Sequence, residues 1–179
     1  MIRSISTTLF ALALGAPLVA QEAAVTGPTK LGSFRTVKVT GTGVHQFSTA
    51  LIHSQRPTET GFVQRSTDTV ELEGDLKGRV LYHPVSTFDT EQQTLVNRGH
   101  QVFSGTVLGS NPVLLYDNRF RFDVNLATGE TVGKVYLADQ LAGPSVRCWL
   151  DIVGTGQDAQ GDATLAYTGY CRLRVPVEE

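Results

Sequence analysis

The chain has 179 residues, 41% of them hydrophobic, with 15 basic side chains against 17 acidic ones and a formal net charge of -2 at pH 7. That length fits one domain with a substantial core. The mildly acidic balance and the lack of any local Lys/Arg cluster exclude the basic field that gathers nucleic acid.

The first segment reads as a leader. Arg3, an apolar stretch from Leu9 to Leu14 and the small residues of "APLVAQE" have the layout of a secretory signal peptide cut after Ala20. The apolar run is interrupted by Gly15 and Pro17 and falls well short of the roughly 20 residues needed to span a bilayer. The expected organisation is therefore a signal peptide, residues 1–20, ahead of a single domain, residues 21–179. Such a protein is secreted or periplasmic and has no stable membrane span.

From there the chain keeps a period-two rhythm, the mark of strands with one buried face. "FRTVKVTGTGVHQF", Phe34 to Phe47, alternates around Val37 and Val39. Phe62 to Val70 fits either an edge strand or a polar loop. "VELEGDLKGRVLYHP", Val70 to Pro84, reads as one strand. Val70, Leu72, Gly74, Leu76, Gly78, Val80 and Tyr82 lie on its inward face, with Glu71, Glu73, Asp75, Lys77 and Arg79 facing solvent. Glycine at two inward positions signals a sharply coiled strand or the close approach of a ligand. "TEQQTLVNR", Thr90 to Arg98, is the one short segment compatible with a helical turn.

Val102 to Leu108 forms the next strand, followed by a turn or wider loop at "LGSNPV". "DNRFRFDVNL", Asp117 to Leu126, places Phe120, Phe122, Val124 and Leu126 on one face and Arg119, Arg121, Asp123 and Asn125 on the other. The charged set fits a solvated face with local ion pairs, or an anion site. "LATGET" is a tight hairpin turn leading to a strand from Val132 to Ala138.

The last two strands, Arg147 to Val153 and Ala163 to Val175, flank "GTGQDAQGD". They also carry the only two cysteines, Cys148 and Cys171. If Cys148 faces Cys171, then Trp149 faces Tyr170, Asp151 faces Thr168 and Val153 faces Ala166. A disulfide at this register closes a loop worth roughly 3 to 3.5 kcal/mol by loop-closure entropy, and it matches the oxidising compartment implied by the leader. Trp149, Asp151, Tyr170 and Arg172 then share a face, open to three readings: a ligand pocket, a subunit interface or ordinary packing.

The expected fold is all-β, a single antiparallel barrel of about eight strands, because closure leaves no free edges; a β-sandwich is the runner-up. No motif fixes a reaction: G-x-S-x-G elbow, phosphate loop and dinucleotide fingerprint are all missing. His45, His53, His83 and His100 are the only histidines. None stands at metal-ligand spacing, so no metal site is expected. The candidates for acid or base chemistry are His83 and Tyr82 at the end of a strand, with Asp151 and Tyr170 on the aromatic face.

"GTGVHQF", "LEGDLKGRVLYH" and "VFSGTVLGSN" together resemble the strand grammar of small barrels of the allene oxide cyclase and dirigent type. There a strand with G-x-L-x-G leads into G-x-x-x-Y, and a later strand begins F-x-G-T. The resemblance implies an eight-stranded barrel, homodimeric or homotrimeric, whose apolar cavity steers a small hydrophobic substrate through cyclisation or coupling without a cofactor. It also implies ligand contacts from Leu72, Leu76, Tyr82, Phe120 and Phe122, to which the inward glycine Gly78 adds a point of close ligand approach, but no family catalytic motif has a counterpart here. The alternative is a noncatalytic barrel that holds a small apolar molecule or serves as a structural or interaction module. Lipocalins are such carriers, but the G-x-W near their first strand is missing, since the sole tryptophan, Trp149, comes late.

Overall fold

The computed structural model describes residues 33–174; the leader at residues 1–20 and its cleavage point lie outside the described residues. The strands, in chain order, are β1 (Phe34–His45), β2 (Leu51–Pro57), β3 (Gly61–Gly74), β4 (Leu76–Asp89), β5 (Thr94–Val107) and β6 (Val113–Asp117). They continue with β7 (Arg121–Asn125), β8 (Thr131–Leu137), β9 (Asp139–Ala142), β10 (Val146–Gln157) and β11 (Ala163–Arg174). Among the described residues one 3-10 turn, Phe47–Thr49, interrupts them.

Every pairing is antiparallel, and the ladder β1-β3-β4-β5-β7-β8-β10-β11 returns to β1. The fold is thus a closed barrel of eight strands with three extra strands. β2 lies against the first half of β3, β6 against the second half of β5, and β9 against β6. Closure satisfies the backbone groups that an open sheet would leave exposed.

Alternation decides what faces inward. Leu72, Val80 and Tyr82 point into the barrel beside Val135, Leu137, Leu150 and Ile152 from the far wall, and all are buried. Outside, Glu71 pairs with Arg79, Lys77 with Glu73 at 3.4 Å, and Lys134 with Asp151 at 2.6 Å. These exposed ion pairs add little stability, under about 1 kcal/mol each, but they keep the outer face wet.

The β10–β11 register is the one the cysteines imply: Cys148 opposite Cys171, Trp149 opposite Tyr170, Asp151 opposite Thr168 and Val153 opposite Ala166. Cys148 and Cys171 are disulfide-bonded and fully buried. Their bridge ties neighbouring strands near one end of the barrel, at the level of Leu137 on β8.

Three segments depart from the sequence expectation. Val70 to Pro84 is not one strand but the end of β3 and the start of β4, reversing at Gly74 and Asp75. Gly74 takes φ +107, and the Asp75 amide and carboxylate both bind back to Thr40, so the reversal is pinned to β1. A period-two count cannot see this, because inward and outward positions keep their parity through the reversal. Phe62 to Val70 is neither a loop nor an edge: it belongs to β3, which has β4 on one side and β1 and β2 on the other. Thr90 to Arg98 contains a turn only as far as Gln93; Thr94 onward is β5, zipped to β4 and β7.

Candidate functional site

The barrel holds a cavity of about 990 Å³. It opens at the end where β3 and β5 begin and β4 and β7 finish. Phe47, Ser48 and Ala50 of the 3-10 segment line it there, together with Phe88, Leu126 and Thr128. The opposite end is closed by packed side chains. Tyr167 is the keystone of this floor: its hydroxyl accepts the Leu76 amide at 2.7 Å and reaches the carbonyls of Glu73 and Leu76, each at 3.2 Å.

The lining changes character with depth. Near the floor it is apolar, with Leu72, Val80, Leu137, Leu150 and Ile152. At mid-height β3, β4 and β5 turn polar, contributing Gln64, Ser66, Asp68, Ser86, Asn97 and Gln101. These are alternate inward positions on strands whose deeper positions are aliphatic, so the polarity is a belt on one wall.

Two members of the belt stand out energetically. Asp68 is 7% exposed, and His45 Nε2 donates to its Oδ2 at 2.9 Å. Asp68 Oδ1, buried, has no protein partner, and the same holds for Asn97 Oδ1. An unmet buried acceptor costs about 1–3 kcal/mol. By contrast, Asp117, the other deeply buried carboxylate of this wall, is fully engaged. It accepts Gln101 Nε2 at 2.9 Å and the amides of Arg119 and Tyr136 at 2.7 and 2.8 Å. Asp117 fixes the break between β6 and β7; Asp68, a residue of the cavity lining, keeps one carboxylate oxygen without a partner.

Tyr82 sits between the belt and an aromatic cluster. It is opposite Asp68 in the β3–β4 register, edge-on to His45 at 5.4 Å and against Phe120 and Phe122 at 4.8 and 6.0 Å. Burial pushes its phenol well above the ordinary tyrosine range and the Asp68 charge adds to this, while the Asn97 side chain works the other way. The phenol therefore stays protonated, a donor and acceptor in the cavity wall.

The residues singled out from sequence divide cleanly. Leu72, Tyr82 and Phe122 line the cavity. Leu76 and Phe120 are buried in the packing around it, and Gly78 lies on β4 toward the floor, opposite Gly105. His83 points outward. It stacks on His100 at 4.8 Å, and Thr67 Oγ1 bridges its Nδ1 to His53 Nε2 at 2.9 and 2.7 Å. Partial burial and then the neighbouring His100 and His53 depress its pKa. Asp151 and Tyr170 are also outside, with Trp149 and Tyr170 exposed at 39% and 55%, so the aromatic face is not part of the lumen. Arg121 and Asp123 bond each other at 2.5 and 2.7 Å, leaving no open anion site between them.

Sequence reasoning missed His45, Asp68 and Asn97. A signal existed in Gln64, Ser66 and Asp68, which share parity with Val70 and Leu72 and so had to face the same interior. The chain matches no family model, no curated protein and no solved structure.

Proposed function

We propose that this barrel takes up a small, mainly apolar molecule in its lumen. The observation that carries the reading is the combination of a closed apolar floor, an open mouth and about 990 Å³ of internal space, the volume range of small-molecule sites. A barrel that merely needed a core would fill this space with side chains. The Cys148–Cys171 disulfide supports reading the protein as exported, secreted or periplasmic. The exposed Trp149 and Tyr170 support reading the outer face of β10 and β11 as a homodimer or homotrimer contact.

The test is uptake of the neutral dye N-phenyl-1-naphthylamine, followed by its fluorescence, in the wild type and in Val124→Trp. Val124 lines the lumen from a half-buried position, so the larger ring enters the cavity without replacing packed core. One dye per barrel, lost in a folded Val124→Trp protein, is expected. A wild type that takes up no dye overturns the proposal.

A second reading, a cofactor-free isomerase or cyclase of the allene oxide cyclase and dirigent kind, draws support from the His45–Asp68 pair beside Tyr82. An imidazole held at one nitrogen by a carboxylate can accept a proton at the other and return it. The protonated phenol can stabilise an enolate oxygen. Conversion of a β,γ-unsaturated ketone to its conjugated isomer, lost in His45→Gln while dye uptake persists, is the expected signature. An equal rate in His45→Gln removes this reading.

A further inference from the structure

Resting on the reading of the lumen as a small-molecule site, we propose that the polar belt seats a protonated amine at the head of an otherwise apolar ligand. The belt lacks hydrogen-bond donors for two of its acceptors. Among the described residues, Asp68 Oδ1 and Asn97 Oδ1 are buried side-chain acceptors without a partner, and both residues line the cavity. They meet at one aromatic ring: Asp68 is opposite Tyr82 in the strand register, and Asn97 stands beside the Tyr82 phenol. What completes them must bring hydrogen-bond donors.

Charge narrows the class. Among the described residues no lysine or arginine lines the cavity, so a carboxylate or phosphate ligand would meet Asp68 with no cation there to receive it. His45 occupies only Oδ2 of that carboxylate. A hydroxyl head supplies a single donor and leaves one of the two acceptors unmet. A primary ammonium supplies three donors and a positive charge, enough for Asp68 Oδ1 and Asn97 Oδ1 together. The rings of Tyr82 and Phe122, both in the lining, also favour a cation, whose charge is attracted to ring faces. The apolar lining below, Leu72, Val80, Leu150 and Ile152, would receive the hydrocarbon body.

The experiment displaces N-phenyl-1-naphthylamine with octylamine, 1-octanol and octanoate at neutral pH, three probes of one chain length that differ only in the head. In the wild type, octylamine is expected to compete at least about tenfold more tightly than 1-octanol, with octanoate weakest. Asp68→Asn should abolish the preference for octylamine while leaving 1-octanol nearly unchanged, and Asn97→Ala should weaken octylamine alone. Equal competition by octylamine and 1-octanol, or a preference for octanoate, overturns the inference while the lumen reading stands, because the probes still enter. A preference that survives in folded Asp68→Asn overturns the assignment to Asp68. If neither dye nor probes bind the wild type, both readings fall together.

Discussion

The Tyr167 hydroxyl, projecting from β11, accepts the amide of Leu76 at the start of β4 at 2.7 Å, joining residues 91 positions apart across the barrel floor. The contact lies beside the β3–β4 reversal, where the neighbouring Asp75 amide is taken by the Thr40 carbonyl of β1 and the Leu76 amide by the Tyr167 hydroxyl. Gly41 on β1 makes room: a Cβ there would overlap the Glu73 carbonyl and the Tyr167 ring. One phenol thus plugs the floor and satisfies a turn.

Tyr167→Phe keeps the ring and removes only the hydroxyl, and with it the bond from the Leu76 amide and the contacts to the Glu73 and Leu76 carbonyls. The buried Leu76 amide loses its acceptor, and the expected loss is about 1–3 kcal/mol. Urea unfolding of the two proteins measures it. A change below about 0.5 kcal/mol would mean that water reaches the amide and the floor is leakier than the packing of Leu76 and Tyr167 implies.

How far the sequence reveals this molecule depends on the range of the interaction concerned. The period-two rhythm announces strands, and closure follows from the need to hide their edges. The Cys148–Cys171 pair fixes the β10–β11 register because two cysteines must meet. Phe122, Val124 and Leu126 were readable as inward because the opposite face of the same strand is charged. The reversal at Gly74 and Asp75 was hidden, since it depends on β1 receiving Asp75 through Thr40, a contact 35 positions away in sequence. His45 looked isolated for the same reason: Asp68 lies on another strand, and only the β1–β3 pairing, which sets His45 against Val70, brings the two together. Parity along one strand says which side chains share a face, but which faces meet is a property of the closed barrel.

Gly78 and Gly105 face each other across β4 and β5. Gly78 has φ +150, and a Cβ there would strike the Ser104 carbonyl and come within 2.6 Å of the Gly105 Cα. Two opposed glycines let these strands cross tightly where the barrel narrows, so curvature and not ligand space is their role. Gly78→Val is expected to cost at least about 1–3 kcal/mol, the usual range for overpacking, with backbone strain added. Dye uptake per folded molecule should be unchanged, because Gly78 is not among the cavity's lining residues. Thermal unfolding alongside dye titration checks both halves. A Gly78→Val protein of wild-type stability that no longer takes up dye would move Gly78 into the binding site.

Tyr82 gives the barrel a distinctive response to alkali. Burial first, and then the charge of Asp68, raise its pKa well above the ordinary value of 10.0. The folded protein therefore retains a proton that the unfolded chain releases. A group whose folded pKa is raised contributes its stability below the unfolded pKa, and that contribution falls away as pH climbs through and beyond it. Tyr167, raised chiefly by burial, acts with the same sign. Stability should thus hold steady to about pH 9 and fall from about pH 10 upward, in the range where free tyrosine ionises. Tyr82→Phe removes the larger of the two contributions and should flatten this limb, leaving the slope due to Tyr167 and other groups. Urea midpoints measured at intervals between about pH 8 and about pH 11 for both proteins decide the matter. Identical slopes would show that the Tyr82 phenol ionises as readily in the barrel as in the unfolded chain, which would place it in contact with bulk water and deny the belt the dry setting that gives Asp68 and Asn97 their unmet valences.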